Sequence, residues 1–185
     1  KATMVKLYEK DIKTKEVKEW KGVHLFHFTS SSCSQKVRIV LNLKGIDWIS
    51  HPINLLQAEN YSQWYLGINP RGLLPALVHD GDVHIESNDI VGYLDDCFEI
   101  PKLIPSNQSA AVAEQLQAED NLHLDLRTLT FGFSLPKFLT GKPPEALDAL
   151  ESSEGTVEGK KDSHKKVHGS SCRSCARWDY PCRSR

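Results

Sequence analysis

No apolar run in this chain approaches the roughly 20 residues that a membrane-spanning helix needs. Neither sign of charge dominates, with 23 Lys and Arg against 24 Asp and Glu. The first absence leaves no candidate membrane span, and the second leaves no basic field for nucleic acid or anionic lipid. Internal repeats are also missing. The five cysteines are an odd number, and Cys33 and Cys97 fall in helix-like segments. This argues against a disulfide framework and for a reducing compartment, so a cytoplasmic location is expected. The chain opens on lysine, which leaves a removed targeting segment as an open alternative. What is present is globular in composition. Hydrophobic residues make up 39% and charged residues 25% of 185, enough for one ordinary domain or two small ones.

Four stretches follow one another. Residues 1–22 are rich in lysine and glutamate and read as a loosely attached leader with room for one short docking segment. From Val23 the apolar run "VHLFHF" has the look of a buried strand. Ser31 is a good N-cap, and Cys33, Val37, Val40 and Leu41 recur on one helical face until Gly45 supplies a stop. "DWISHPI" predicts a second strand, and residues 59–68 a short helix. "PALVHDGDVHIES" alternates around Asp80-Gly81, a strong two-residue hairpin signal. Ser87 can cap another helix, with Ile90, Leu94, Cys97 and Phe98 on one face. The order βαβαββα predicts an α/β domain of thioredoxin-like type over residues 23–104. Residues 105–150 read as a partial all-helical domain, with Leu122, Leu126, Leu129 and Phe133 at helical spacing. Residues 151–185 carry no apolar periodicity and are expected to be disordered.

Chemistry has three candidate places. At Ser31 a helix start offers unpaired N–H groups and a positive dipole end, which together stabilise an anion such as a thiolate. On spacing alone, however, Ser31 is a plain cap, and Cys33 is a small buried residue beside Val37 and Val40. At "GLLPAL", Pro75 lacks an N–H, and a cis Leu74–Pro75 bond would turn the backbone groups of Leu74 toward an extended peptide. At Glu86-Ser87, a helix start can take a carboxylate while the neighbouring glutamate takes an ammonium. The bland reading there is a cap with a solvated acid. In the tail, Cys172 and Cys175 are spaced C-x-x-C, with Cys182, His164 and His168 nearby. No apolar residues surround them, so no metal site is expected.

"SSSCSQKVRIVLNLKGIDW", "INPRGLLPAL" and "HIESNDIVGYLDD", in this order, resemble the N-terminal domain of cytosolic glutathione transferases, above all the zeta class and related bacterial types. The resemblance implies a thioredoxin-like glutathione-binding domain followed by helices that line an electrophile pocket. It implies that Ser31 holds the glutathione thiolate, with Ser32 and Cys33 in support. Leu74 and Pro75 then match the residue pairing with the cysteinyl backbone and its cis-proline, and Glu86 and Ser87 match the pair holding the γ-glutamyl end. The implied function is activation of glutathione for conjugation to, or isomerisation of, a small electrophile in detoxification. Glutathione is then the co-substrate, no metal is required, and neither nucleic acid nor membrane is a partner. A homodimer is the usual assembly of this family. Leu73 departs from the glutamine usual in the zeta class. Family members also continue through several helices where this pattern dissolves, after about Leu150. The alternative is therefore a non-catalytic binding or interaction module of the same fold with an incomplete electrophile site.

Overall fold

The computed structural model describes residues 7–130, 134 and 142–161. Its centre is a four-stranded mixed sheet of β1 (Val23–His27), β2 (Trp48–Pro52), β3 (Ala76–His79) and β4 (Asp82–Ile85), in spatial order β2-β1-β3-β4. β1 runs parallel to β2 and antiparallel to β3, and β3 and β4 form a hairpin. Between β1 and β2 runs α1 (Ser32–Leu43), and α3 (Ser87–Cys97) follows β4. A short 3-10 turn (Glu59–Tyr61) and α2 (Gln63–Leu66) lie between β2 and β3, and α4 (Ser109–Leu129) and α5 (Pro144–Ser152) come after the sheet. The predicted thioredoxin-like βαβαββα order is the order observed.

Period-two alternation divides the sheet into two packed faces. Val23, Leu25 and Leu77 point to one side and pack with Val37, Val40 and Leu41 of α1 and Ile90 and Leu94 of α3. Phe26, Ala76, Val78, Val83 and Ile85 point to the other, against Tyr65 and Ile68. The Asp80-Gly81 turn has positive φ at both residues, 50° and 87°, as a two-residue type I′ hairpin requires. Only glycine fits at position 81, since an added Cβ would lie 2.3 Å from the Lys18 carbonyl oxygen.

That contact belongs to a segment the sequence reading placed wrongly. Residues 7–22 are no loose leader. Leu7, Ile12 and Val17 are all buried in the second core face, and the Leu7 N–H donates to the Val83 carbonyl at 3.0 Å. These three apolar residues stand five apart, a spacing that matches neither a helix nor a strand, so periodicity passed over them. The disorder expected from residue 151 is corrected in the same way. α5 continues to Ser152, and β5 (Thr156–Val157) pairs with β6 (Lys160–Lys161). Val157 joins the core beside Leu7 and Ile12. Fully buried Asp11 ties the two ends together, accepting hydrogen bonds from the Tyr8 N–H at 3.2 Å, the Gly159 N–H at 3.1 Å and the Thr156 hydroxyl. Residues 162–185, including the C-x-x-C pair and its neighbouring histidines, lie outside the described residues.

The helix expected around Leu122, Leu126 and Leu129 is α4, but its leucines are 58%, 57% and 56% exposed. Phe133 lies outside the described residues. A polar face of α4 turns inward instead: Glu119 meets Lys36 at 2.6 Å, and Asp120 accepts from the Asn88 amide at 2.8 Å.

Candidate functional site

Strand register gathers the three candidate places at one end of the sheet. Phe26 is paired with Ala76, and Ala76 with Ile85. The chain leaving β1 toward Ser31, the Leu74-Pro75 entry to β3 and the Glu86-Ser87 exit from β4 therefore all emerge at the same edge. Lys36, in α1, donates to Asn88, in the first turn of α3, and closes this corner from the helix side.

Ser31 is the N-cap of α1, with extended backbone (φ −75°, ψ 120°). Its hydroxyl oxygen accepts from the Ser34 N–H at 3.3 Å. An accepting hydroxyl keeps its own proton to donate, so the cap and the reaction-centre readings of Ser31 are compatible. Its side chain is half-buried, and that of Ser32 is exposed. Cys33 is not the buried residue its spacing suggested. Ser34 takes that place at 0% exposure, on the face of Val37 and Leu41. Cys33 is half-buried instead, and its sulfur lies against the ring of His123, reached from α4.

The loop that carries Ser31 is pinned from behind. Arg38 donates to the Thr29 carbonyl at 2.9 Å, to the Phe28 carbonyl at 3.3 Å and to His27 Nδ1 at 2.9 Å. A guanidinium only donates, so His27 Nδ1 is the acceptor and its Nε2–H faces Ser50 Oγ at 2.8 Å. His27 is thus held neutral. Burial, with the Arg38 charge and His51 adding to it, pushes its pKa below the ordinary histidine value.

Leu74–Pro75 is a cis peptide, with Pro75 buried and Leu74 half-buried. The preceding turn is fixed by side chains from the helical segment: Tyr65 Oη and the Asn69 amide both donate to the Leu73 carbonyl, at 2.7 and 2.8 Å. Asn60 donates to the Gly72 carbonyl at 2.7 Å. Burial raises the Tyr65 pKa far beyond the usual phenol value, so Tyr65 acts as a neutral donor.

Glu86 has φ 68° and ψ 119°, a conformation that costs a non-glycine residue about 1–3 kcal/mol and is enriched at functional sites. It occupies the cap position of α3 without a side-chain cap bond, and Ser87 is the first helical residue rather than the cap. Arg71 pairs with the Glu86 carboxylate, which stays 41% exposed. Arg71 belongs to the "INPRGLLPAL" stretch, which therefore also orients the acid. Arg38, Arg71 and His123 were all missed as site residues. Arg38 alone left a signal, two turns from Ser31 on the same helix.

Among the described residues no group of three His, Cys, Asp or Glu side chains is placed to hold a metal ion, and no helix is long and apolar enough to cross a membrane.

Comparison with known proteins points to one family. The family model described as "Glutathione S-transferase, N-terminal domain" matches residues 30–97. Glutathione S-transferase Z2 of Arabidopsis thaliana is 46% identical over 84 residues, covering 45% of this chain and 37% of that protein. Maleylacetoacetate isomerase of Mus musculus is 30% identical over 133 residues, covering 60% of this chain and 62% of its own length. The crystal structure of the beta-etherase LigF from Sphingobium sp. strain SYK-6 superimposes with a TM-score of 0.60 at 23% identity, covering 84% of this chain and 71% of that one, a likeness of fold. This chain spans 37% to 62% of the length of the two curated relatives.

Proposed function

Since residues 30–97 match the family model of the glutathione S-transferase N-terminal domain, we propose that the protein binds glutathione at this end of the sheet and activates its thiol. Ser31 donates its hydroxyl proton as a hydrogen bond to the thiolate. The main chain of Leu74, before cis-Pro75, pairs with the cysteinyl backbone. Glu86 takes the α-ammonium of the γ-glutamyl end while the Ser87 hydroxyl and the start of α3 take its carboxylate. Arg71 holds the Glu86 carboxylate in place. Ser32 and Cys33 border the thiolate position from the first turn of α1.

The observation that carries this reading is the bond from the Ser34 N–H to Ser31 Oγ. It fixes the hydroxyl oxygen at a helix N-terminus and leaves its proton free to donate. A free thiol is a few per cent ionised at neutral pH, and lowering its pKa by about 2 units requires about 2.7 kcal/mol of anion stabilisation. One hydrogen bond to a charged acceptor, about 1.5–3 kcal/mol, together with the helix end covers that need. The thiolate then attacks an electrophilic carbon; in displacement the leaving group departs with the electron pair of the broken bond, and in addition the negative charge passes to the electrophile, which then takes up a proton. Conjugation retains the new carbon–sulfur bond. Isomerisation of a conjugated double bond uses the same attack: adding sulfur makes the bond single, rotation follows, and expulsion of the thiolate restores the double bond in the other geometry. The name of the mouse relative supports this second outcome. The finer form of the proposal is a cytoplasmic homodimer acting on small electrophiles in detoxification, with no metal.

The test is calorimetric titration of glutathione into the protein and a Ser31→Ala variant, with thiolate absorbance followed in parallel. The expected result is binding with a thiolate band near neutral pH. Ser31→Ala should keep most of the affinity and lose the band, with turnover falling about a hundredfold, as for one lost oxyanion donor. Binding with no thiolate band in the wild-type chain would instead favour the non-catalytic module.

A further inference from the structure

Among the described residues, two polar rungs join α1 and α4. Lys36 Nζ contacts both carboxylate oxygens of Glu119, at 2.6 and 2.7 Å. One turn nearer the start of α1, Cys33 Sγ lies 3.8 Å from Nε2 and 4.0 Å from Nδ1 of His123. Cys33 and Lys36 are three apart on α1, and Glu119 and His123 four apart on α4, so each pair shares a helix face and the rungs run side by side. The Lys36–Glu119 rung fixes the register that brings the imidazole onto the sulfur. Cys33 is half-buried and carries no disulfide. It sits two residues after Ser31, in the first turn of a helix whose N-terminus favours an anion. A thiol, an imidazole able to take its proton and an anion-favouring helix start are the parts of an activated sulfur nucleophile.

We propose that Cys33 and His123 form a second sulfur centre, which takes glutathione disulfide and becomes a Cys33–glutathione mixed disulfide. His123 accepts the Cys33 proton as the sulfur attacks one sulfur of glutathione disulfide. The Cys33–S bond forms as the S–S bond breaks, and the departing glutathione thiolate takes the proton back from the imidazolium. Cys33 is oxidised, one glutathione sulfur is reduced, and the products are the mixed disulfide and one glutathione. The proposal rests on the glutathione reading for its ligand, since the glutathionyl group would occupy the corner beside Ser31. Formation of the disulfide would then exclude glutathione from that corner and link thiol activation to the redox state of the glutathione pool.

Cys97 is the internal control. It is an exposed free thiol at the C-terminal end of α3, with Asp95, Asp96 and Glu99 close in sequence. The full chain is incubated with glutathione disulfide, and the rate of mixed-disulfide formation at each cysteine is read by peptide mass spectrometry. The expected result is reaction at Cys33 about tenfold or more faster than at Cys97, with His123→Gln removing most of that advantage and leaving the Cys97 rate unchanged. Equal rates at Cys33 and Cys97 in the wild-type chain would overturn the proposal without reference to any variant. So would a Cys33 rate indifferent to His123→Gln. Calorimetry with reduced glutathione separates the two readings. Fast, His123-dependent reaction without glutathione binding would sink the transferase reading and leave the disulfide centre standing. Normal binding with a slow Cys33 would do the reverse.

Discussion

Removing the Asp95 carboxylate should destabilise the domain without touching the corner around Ser31. Asp95, near the end of α3, meets Lys44, just past the end of α1, at 2.8 Å, with the two side chains 2% and 0% exposed. The same carboxylate accepts from the Leu103 and Ile104 N–H groups at 2.8 and 3.0 Å, which folds the segment after α3 back onto the sheet. Without it, the Lys44 ammonium would stay buried with only the Pro101 carbonyl, at 2.6 Å. Breaking such a buried pair from one side costs about 3–5 kcal/mol. In a chain of 185 residues each kcal/mol lowers Tm by about 2–4 °C, so Asp95→Ala should melt at least about 6 °C lower. Burial alone would raise the Asp95 pKa, but Lys44 and the two N–H groups outweigh it and hold the pKa at about 2, against an ordinary 3.8. A depressed folded-state pKa contributes stability above about pH 4 that is lost as pH falls toward 2, here about 2 kcal/mol. Urea denaturation of wild type and Asp95→Ala at pH 7 and pH 3 tests both figures. The double variant Lys44→Met/Asp95→Leu should recover most of the loss, because it leaves no uncompensated charge. A loss under about 1 kcal/mol at pH 7 would refute the reasoning, since the pair would then be worth no more than a surface bridge.

Other perturbations reach the pH response and the site itself. His27 and His51 both have lowered pKa values, burial being the first cause in each. The unfolded chain therefore binds more protons below about pH 6.5, and stability should decline from there toward pH 5. His51 stacks on both Trp20 and Phe26, so His51→Phe should keep the packing and flatten that slope in pH-dependent melts; an unchanged slope would place the effect elsewhere. Arg38→Ala removes the bonds that hold Phe28, Thr29 and His27. It should weaken glutathione affinity by about tenfold by calorimetry while changing Tm far less than Asp95→Ala does, the mark of a positioning residue.

The βαβαββα order was legible because each element carried a strong local signal: the Ser31 cap, the Gly45 stop and the Asp80-Gly81 hairpin. The corner of the sheet was legible only in pieces. Ser31, Pro75 and Glu86 stand far apart in sequence, and nothing local says that register will gather them; the family likeness supplied that step. Helical spacing puts Arg38 near Ser31, but what Arg38 and Arg71 bind stayed hidden for a different reason. Their partners are a main-chain loop and an acid fifteen residues away, and no spacing rule marks a basic residue that reaches across a turn. The N-terminal segment was lost through too strict a demand for period, since Leu7, Ile12 and Val17 enter the core one at a time from an irregular path.

α4 shows the same limit on a regular element. Periodicity groups Leu122, Leu126 and Leu129 on one face, but it cannot say which way that face turns. Here α1 and α3 decide. They spend their apolar faces on the sheet, through Val37, Val40, Leu41, Ile90 and Leu94, and what remains toward α4 is Cys33, Lys36 and Asn88. A helix laid on that surface is held by groups that answer a thiol, an ammonium and an amide, and α4 presents an imidazole and two carboxylates. Leu122, Leu126 and Leu129 are turned outward as a consequence. The polar contacts that orient α4 are the same ones that bring His123 to Cys33 and Lys36 to Asn88. The attachment of the helix and the chemistry of the corner therefore depend on the same few side chains, and a substitution at Lys36 or Glu119 acts on both.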